Sequence, residues 1–247
     1  MALTVDRGDE VSTGIEQAVL LVGGRGTRLG ALTESVPKPM LPVAGRPFLD
    51  WLASNLARHG VRRLVLASGY RAEAFDGWSP AGMEVRTFVE EEALGTGGAL
   101  PLLRDWLDER FFVLNGDTLL DAPIAELGAR LATSEALGAV ALRSVADTSR
   151  YGRVRMDGGR IVDFAEKSAP GPGWINGGIY AFRREVLERI ATPSNLESDL
   201  LPSLASEGLL LGLPSEGFFL DIGLPETYEE AQSAVPRWWA GTGVTEG

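Results

Sequence analysis

IEQAVLLVGGRGTRL, residues 15–29, joins a continuous apolar run to a glycine-rich turn. An apolar run without alternation is typical of a strand buried on both faces of a sheet. The segments between such runs carry apolar residues at helical spacing, and similar runs recur at residues 62–68, 84–90, 110–117 and 137–144. This alternation predicts an α/β fold, Rossmann-like in outline, with a mainly parallel sheet flanked by helices.

The pattern changes after about residue 150. Residues 152–164, GRVRMDGGRIVDF, alternate apolar and polar side chains around Asp-Gly-Gly, which is typical of a β-hairpin. Further strands are predicted at residues 174–182, 209–213 and 218–222, and helices at residues 184–190, 197–206 and 225–235. This half is therefore expected to be antiparallel or mixed, which makes the complete sheet a mixed one.

Length and composition favour a single domain. With 247 residues and 45% apolar content, the chain can bury a substantial core in one unit. We expect a flexible N-terminus at residues 1–14, one domain at residues 15–235 and a C-terminal tail at residues 236–247. Trp238 and Trp239 in that tail can pack on the core or on a neighbouring subunit, which leaves a homo-oligomer open.

Charge and composition narrow the chemistry. A formal net charge of −11 argues against a nucleic-acid surface, because phosphate backbones require clustered positive charge. The absence of cysteine and the single histidine argue against thiolate nucleophiles, zinc sites and a Ser-His-Asp triad. No apolar run approaches the roughly 18 residues of a membrane span, and the first residues do not resemble a secretory signal. We therefore expect a soluble, cytoplasmic protein without a membrane partner.

The glycine turn, residues 23–29, follows the first strand at the edge where open α/β sheets bind ligands. Glycines there allow backbone amides to approach phosphate oxygens. The dinucleotide fingerprint requires a third glycine where this chain has Leu29, and the P-loop pattern requires Gly-Lys followed by Ser or Thr. Neither pattern fits, so the turn needs a different explanation.

Lys38 is one of only two lysines, the other being Lys167. Prolines at positions 37, 39 and 42 are expected to hold an extended, stiff loop that aims the Lys38 side chain in one direction. A compact ammonium suits a single phosphate oxygen better than the wider guanidinium fork does. The alternative is an exposed lysine in a proline-rich loop.

The run VGGRGTRL, continued by PKPMLPV and GRP, resembles the signature of the sugar-phosphate nucleotidyltransferases, which join a nucleoside triphosphate to a sugar 1-phosphate. SNLESDLLP, at residues 194–202, most resembles the branch that acts on heptose and mannose 1-phosphates. Matching motifs follow in order: EEALGTGGAL at residues 91–100, LNGDTLLD at 114–121, YGRV at 151–154, EK at 166–167, INGGIYAF at 175–182 and FLDIGLPETY at 219–228.

This resemblance implies a GT-A-like fold without a C-terminal β-helix, and a Mg²⁺-dependent reaction. The substrates implied are a nucleoside triphosphate, with GTP favoured, and a sugar 1-phosphate, with the heptose or mannose form favoured. Adenylyl or thymidylyl transfer to a related sugar 1-phosphate stays open. So does a non-catalytic sugar-nucleotide sensor, while Leu29 and the proline-fixed loop count against an NAD-dependent oxidoreductase.

The resemblance also assigns site residues. Arg28, Lys38 and Asp117 are the implied catalytic residues, and Asp117 and Asp221 the implied Mg²⁺ ligands. The implied nucleotide-binding residues are Gly23, Gly24, Arg25, Gly26, Thr27, Gly95, Thr96, Gly98 and Asn115. The implied sugar-phosphate-binding residues are Gly152, Glu166, Lys167, Asn176 and Gly177. We expect no catalytic role for His59 and a structural role for Glu90–Glu92.

Overall fold

The computed structural model describes residues 14–149, 151–165 and 170–244. Its strands are β1 Gln17–Leu21, β2 Pro42–Val43, β3 Arg46–Pro47, β4 Arg63–Ser68, β5 Glu84–Val89, β6 Arg110–Asn115, β7 Thr118–Leu120, β8 Gly138–Val145, β9 Arg153–Asp157, β10 Arg160–Ala165, β11 Gly173–Arg183, β12 Leu210–Ser215 and β13 Phe219–Asp221.

The α-helices are α1 Phe48–Arg58, α2 Gly95–Gly98, α3 Ile124–Ala132, α4 Leu201–Ser206 and α5 Pro225–Gly241. Short 3₁₀ helices occupy Thr27–Thr33, Lys38–Met40, Ala72–Phe75, Leu100–Trp106 and Arg184–Arg189, and one π turn spans Leu196–Leu200. None of the helices in the described ranges is long and apolar enough to cross a membrane.

Nine strands form one sheet in the order β5-β4-β1-β6-β11-β8-β12-β10-β9. The strands β5, β4, β1 and β6 are mutually parallel, as the sequence predicts. Beyond β6 the sheet is mixed, and β9 pairs with β11 as well as with β10, so this half curls back on itself.

The expectation of a mainly parallel sheet is not confirmed. Within the described residues, four of the nine strand pairings in this sheet are parallel and five are antiparallel. The predicted hairpin contributes one antiparallel pairing, between β9 and β10. The long strand β11 contributes three more, because it runs opposite to β6, β8 and β9.

The sheet is covered on both faces. Ala18 and Leu20 of β1 pack in one buried cluster with α1, α3 and α5, whereas Val19 packs in a second cluster with α4 and the helix Leu100–Trp106. This placement confirms that the first strand is buried on both faces. In α1, Leu49, Leu52 and Leu56 lie on the buried face, at the spacing that a helix requires.

The helix α5 continues through Pro236 to Gly241, so the boundary placed after residue 235 falls inside it. A proline within a helix removes one N–H donor, and here the packing of the following turn outweighs that loss. Trp239 is buried against Trp51, with ring centroids 6.1 Å apart, and Trp238 stacks on Phe218 at 5.2 Å. Both tryptophans therefore pack on the core of their own chain.

Candidate active site

The glycine turn lines a cleft of about 590 Å³ at the carboxyl ends of β1 and β6. Gly26 adopts the left-handed conformation, with φ +63°, which glycine tolerates best. A Cβ at Gly26 would lie 3.1 Å from the Thr33 side chain and 3.3 Å from Lys38 Cε. Gly23, Gly24 and Arg25 also line the cleft, and Thr27 begins the 3₁₀ helix that follows. A side chain at Gly26 would therefore crowd the path of Lys38.

Lys38 reaches this cleft from a short 3₁₀ helix, Lys38–Met40. The predicted extended loop is wrong over this helix, because Pro39 stands in its first turn, where the fixed φ of proline is tolerated. The flanking residues Pro37 and Leu41 are extended. The Lys38 side chain is 9% exposed, and its Nζ lies 2.6 Å from Asp117 Oδ2. The alternative of a solvent-exposed lysine is therefore wrong.

Asp117 and Asp221 are brought together by a two-stranded antiparallel sheet of β7 and β13. Asp221 pairs in register with Thr118, and Ile222 N donates to the Asp117 carbonyl at 3.0 Å. Burial, followed by the charge of Asp117, raises the pKa of Asp221 above its ordinary value. Gly223 N donates to Asp221 Oδ1 at 2.5 Å, which opposes that shift. The arrangement concentrates negative charge where a cation would relieve it.

Gly116 fixes the position of Asp117. A Cβ at Gly116 would lie 2.7 Å from the Leu21 carbonyl oxygen, which belongs to the backbone of β1. Gly116 N donates to that same oxygen at 3.0 Å. The short NGD segment can therefore pass close to β1 only without a side chain at its centre, and this close approach delivers Asp117 to the cleft.

Arg28 lies apart from the main cleft. It lines a smaller cavity of about 210 Å³ together with Tyr151, Phe219 and Asp221. Arg28 and Lys38 are both close enough to Asp221 for their positive charges to oppose the rise of its pKa. The structure therefore brings Lys38, Asp117 and Asp221 together, and places Arg28 on the Asp221 side.

Gly95 and Thr96 also line the cleft. Gly95 has φ +80°, and a Cβ there would lie 2.3 Å from the Ser194 carbonyl oxygen. The N–H groups of Gly97 and Gly98 donate to that oxygen at 2.9 and 3.1 Å. The segment 194–199 therefore packs against α2, and the absence of a side chain at Gly98 permits this close contact.

Glu90 is a cleft residue for which the sequence predicts only a structural role. It directly follows β5, and Glu91 and Glu92 line the cleft beside it. Glu90 Oε2 accepts a hydrogen bond from Leu94 N at 3.1 Å, and burial raises the pKa of the Glu90 carboxyl. The place of Glu90 in the sequence is the signal that would have predicted its position in the cleft. Glu90 directly follows β5, and β5 ends at the same sheet edge as β1 and β6.

Asn176 and Gly177 lie at a bulge in β11, where the pairing with β8 shifts between Asn176 and Ile179. Asn176 Oδ1 accepts from Gly178 N at 2.9 Å, and Asn176 Nδ2 donates to the Tyr180 hydroxyl at 2.8 Å. A Cβ at Gly177 would lie 2.4 Å from Leu120 Cδ2 and 2.8 Å from the Ala141 carbonyl oxygen. Internal hydrogen bonds and packing therefore account for the positions of both residues.

Three further residues are predicted to bind the sugar phosphate. Gly152 immediately precedes β9, while Glu166 and Lys167 lie outside the described residues.

Asn115, predicted to bind the nucleotide, ends β6 and lines the cleft. Its Oδ1 is buried, and no described residue hydrogen-bonds it. An acceptor of that kind is available to a donor on a bound molecule.

Comparisons with known proteins show what this chain is similar to. The nucleotidyl transferase family model matches residues 17–237. The D-glycero-alpha-D-manno-heptose 1-phosphate guanylyltransferase of Aneurinibacillus thermoaerophilus is 31% identical over 228 residues, which cover 90% of this chain and 99% of that relative. The mannose-1-phosphate guanylyltransferase of Mycobacterium tuberculosis is 35% identical over 231 residues, which cover 89% of this chain and 64% of that relative.

One solved structure is similar to this chain both in sequence and in fold. The crystal structure of HddC from Yersinia pseudotuberculosis complexed with GMP-PN is 31% identical in sequence and has a TM-score of 0.77. The match covers 88% of this chain and 98% of that one.

Proposed function

This chain belongs to the nucleotidyl transferase family, and we propose that it transfers GMP from GTP to a sugar 1-phosphate, releasing pyrophosphate. The observation that carries this proposal is the ion pair of buried Lys38 and half-buried Asp117, 2.6 Å apart, in the wall of a cleft that begins at the glycine turn. The phosphate oxygen of the sugar attacks the α-phosphorus, a new P–O bond forms, and the bond to the pyrophosphate group breaks.

Charge neutralisation and positioning are the main demands of this reaction, because two polyanions must meet. Lys38 supplies an ammonium held on a rigid backbone, next to the place where the α-phosphate must lie. The glycine turn supplies backbone amides, and Arg25 a guanidinium, for the remaining phosphates. No covalent nucleophile is required, in keeping with a chain that has no cysteine.

Mg²⁺ is the metal that we propose for Asp117 and Asp221. Within the described residues, no group of three or more His, Cys, Asp and Glu side chains could hold a metal by itself. Two carboxylates fit Mg²⁺ because this ion completes its octahedron with phosphate oxygens and water. When bound, it would neutralise part of the triphosphate charge. Burial and the charge of Asp117 raise the pKa of Asp221, so a cation placed beside it would favour its charged form.

Glu90 supports GTP as the nucleotide. Guanine presents two neighbouring donors on its Watson–Crick edge, N1–H and the 2-amino group, and a carboxylate can accept from both. Adenine offers one donor beside an acceptor, which a carboxylate would repel. The three consecutive glutamates that line the cleft, Glu90–Glu92, therefore favour guanine.

Replacement of Glu90 tests this base assignment. We expect Glu90→Gln to lower kcat/KM for GTP by about tenfold to a hundredfold, because a charged acceptor is lost. The preference for GTP over inosine triphosphate, which lacks the 2-amino group, should shrink as well. Glu126→Gln, on the exposed side of α3, is the matched control. An unchanged GTP-to-inosine-triphosphate ratio in Glu90→Gln would exclude Glu90 from base recognition.

The heptose 1-phosphate is the first sugar to test. This chain spans 99% of the heptose 1-phosphate relative but 64% of the mannose 1-phosphate relative, which is longer. The experiment is a pyrophosphate-release matrix of ATP, GTP, CTP, TTP and UTP against heptose, mannose and glucose 1-phosphates. We expect turnover with GTP and a manno-configured sugar 1-phosphate. Turnover with no pair would refute transferase function and favour the sensor.

A further inference from the structure

Tyr180 and Glu197 form a chain of hydrogen bonds across the back of the cleft, outside the roles assigned above. Glu197 Oε2 accepts from Thr96 Oγ1 at 2.7 Å, on the nucleotide side. Glu197 Oε1 accepts from the Tyr180 hydroxyl at 3.3 Å. The same hydroxyl accepts from Asn176 Nδ2 at 2.8 Å, on the sugar side. One carboxylate therefore contacts both halves of the site.

The Tyr180 hydroxyl has the capacity for both contacts. A phenol has one proton and two lone pairs. Asn176 Nδ2 donates to one lone pair, and the proton is directed to Glu197. Burial raises the pKa of Tyr180 well above its ordinary value, which keeps that proton in place.

The direction of the hydroxyl determines how Asn176 faces the site. Asn176 Nδ2 donates to Tyr180, and Asn176 Oδ1 accepts from Gly178 N, which sets the shape of the β11 bulge. The amide orientation of Asn176 therefore depends on a hydroxyl whose proton goes to Glu197.

The contacts at the nucleotide end of this series of hydrogen bonds are equally specific. Thr96 Oγ1 donates to Glu197 and accepts from Leu196 N at 2.9 Å, so its orientation is fixed. Thr96 lines the cleft beside Gly95. A molecule that shifts Thr96 must strain or release its contact with Glu197, and the change would pass through Tyr180 to Asn176.

We propose that Tyr180 and Glu197 are positioning residues that couple nucleotide binding at Thr96 of α2 to sugar 1-phosphate binding at Asn176. This proposal rests on the function proposed above. It requires that each substrate tighten the binding of the other, because fixing Thr96 with one substrate leaves Asn176 already oriented for the other.

Binding measurements on the intact protein test the coupling. The dissociation constant of α,β-methylene GTP is measured calorimetrically with Mg²⁺, without and with saturating sugar 1-phosphate. We expect the wild-type ratio of the two constants to be about ten. Glu197→Gln offers one acceptor oxygen instead of two, and Tyr180→Phe removes the hydroxyl. Each should bring the ratio close to one, and the double variant should match the single ones.

The controls separate coupling from structural support. Glu207→Gln changes another exposed glutamate, which accepts from Arg189 far from the cleft, and should keep the wild-type ratio. Glu197 is exposed, so Glu197→Gln should fold. If Tyr180→Phe does not fold, Glu197→Gln decides the question alone. A wild-type ratio of one, or an unchanged ratio in Glu197→Gln, would overturn the proposal. If the wild type binds neither substrate, the proposed function itself falls.

Discussion

Replacing Lys38 with arginine keeps the charge but changes its shape, and we expect it to remove most of the activity. The Lys38 side chain is 9% exposed, and Nζ lies 2.6 Å from Asp117 Oδ2. A Cβ at Gly26 would already lie 3.3 Å from Lys38 Cε, so the space around the side chain is narrow. A planar guanidinium is wider and reaches further than an ammonium, and this space does not admit it without displacing Asp117.

The expected loss follows from what the ammonium does. Displacement removes one preorganised electrostatic contact to the reacting phosphate, which costs about 10²-fold in kcat, or about 2.7 kcal/mol of transition-state stabilisation. Substrate binding depends on the glycine turn and on other cations as well. The KM values should therefore change less than kcat does.

Steady-state pyrophosphate release at saturating GTP and sugar 1-phosphate measures this loss. Arg130→Lys, in the exposed pair with Glu126, is the matched control for an exchange of cation type and should leave kcat unchanged. Thermal unfolding of both variants separates a catalytic loss from unfolding. A folded Lys38→Arg variant with kcat within about threefold of wild type would refute the argument that the site needs a compact ammonium.

Three further changes test the charge balance of the protein. Asp221→Asn removes a charge that burial disfavours, so it should raise Tm at neutral pH in the absence of metal. Added Mg²⁺ should raise the Tm of the wild type only. A variant with a lower Tm than the wild type in the absence of metal would contradict this expectation. Asp117→Asn should destabilise by about 1–3 kcal/mol in urea unfolding, because Lys38 loses its counter-charge. Burial lowers the pKa of His59, so wild type should lose stability as the pH falls from about 6.5 towards that lower folded-state pKa. His59→Asn should lack this loss, and since His59 is the only histidine, its NMR titration reports the pKa directly.

The sequence predicts the parallel half of the fold because its signals are local. The run at residues 17–21 is buried on both faces, and the turn that follows it lines the cleft. Such features depend on a few neighbouring residues and on the rule that ligands bind at the carboxyl ends of parallel strands. The family resemblance, rather than this rule, assigns Asp117 and Asp221 to one metal site.

The actual route by which these aspartates meet is not visible in the sequence. The strands β7 and β13 have three residues each and form a separate sheet. Strands that short carry no periodicity, and their pairing joins positions about one hundred residues apart. The curled half of the large sheet is also set by long-range pairing, since β11 contacts three different strands.

Other residues escape prediction because their local context suggests a different role. Tyr180 stands within an apolar run, where a tyrosine indicates core packing, and only the fold shows that its hydroxyl meets Glu197. Glu90 belongs to a run of acidic residues that usually faces solvent. Pro236 is typical of a helix boundary, yet the tryptophans that follow it pack well enough to continue α5.

Asp117 and Asp221 should respond oppositely to the same substitution, although both are expected to hold Mg²⁺. Asp117 forms the ion pair with Lys38, so its replacement removes the hydrogen-bonded counter-charge of a buried ammonium. The charged form of Asp221 is instead disfavoured by burial and by the charge of Asp117. The nearby Lys38 and Arg28 offset that unfavourable effect only in part. A loss of activity in Asp117→Asn would therefore mix metal binding with damage to Lys38. Asp221→Asn removes a carboxylate while the Lys38–Asp117 pair stays intact, and for that reason it isolates the contribution of the metal site.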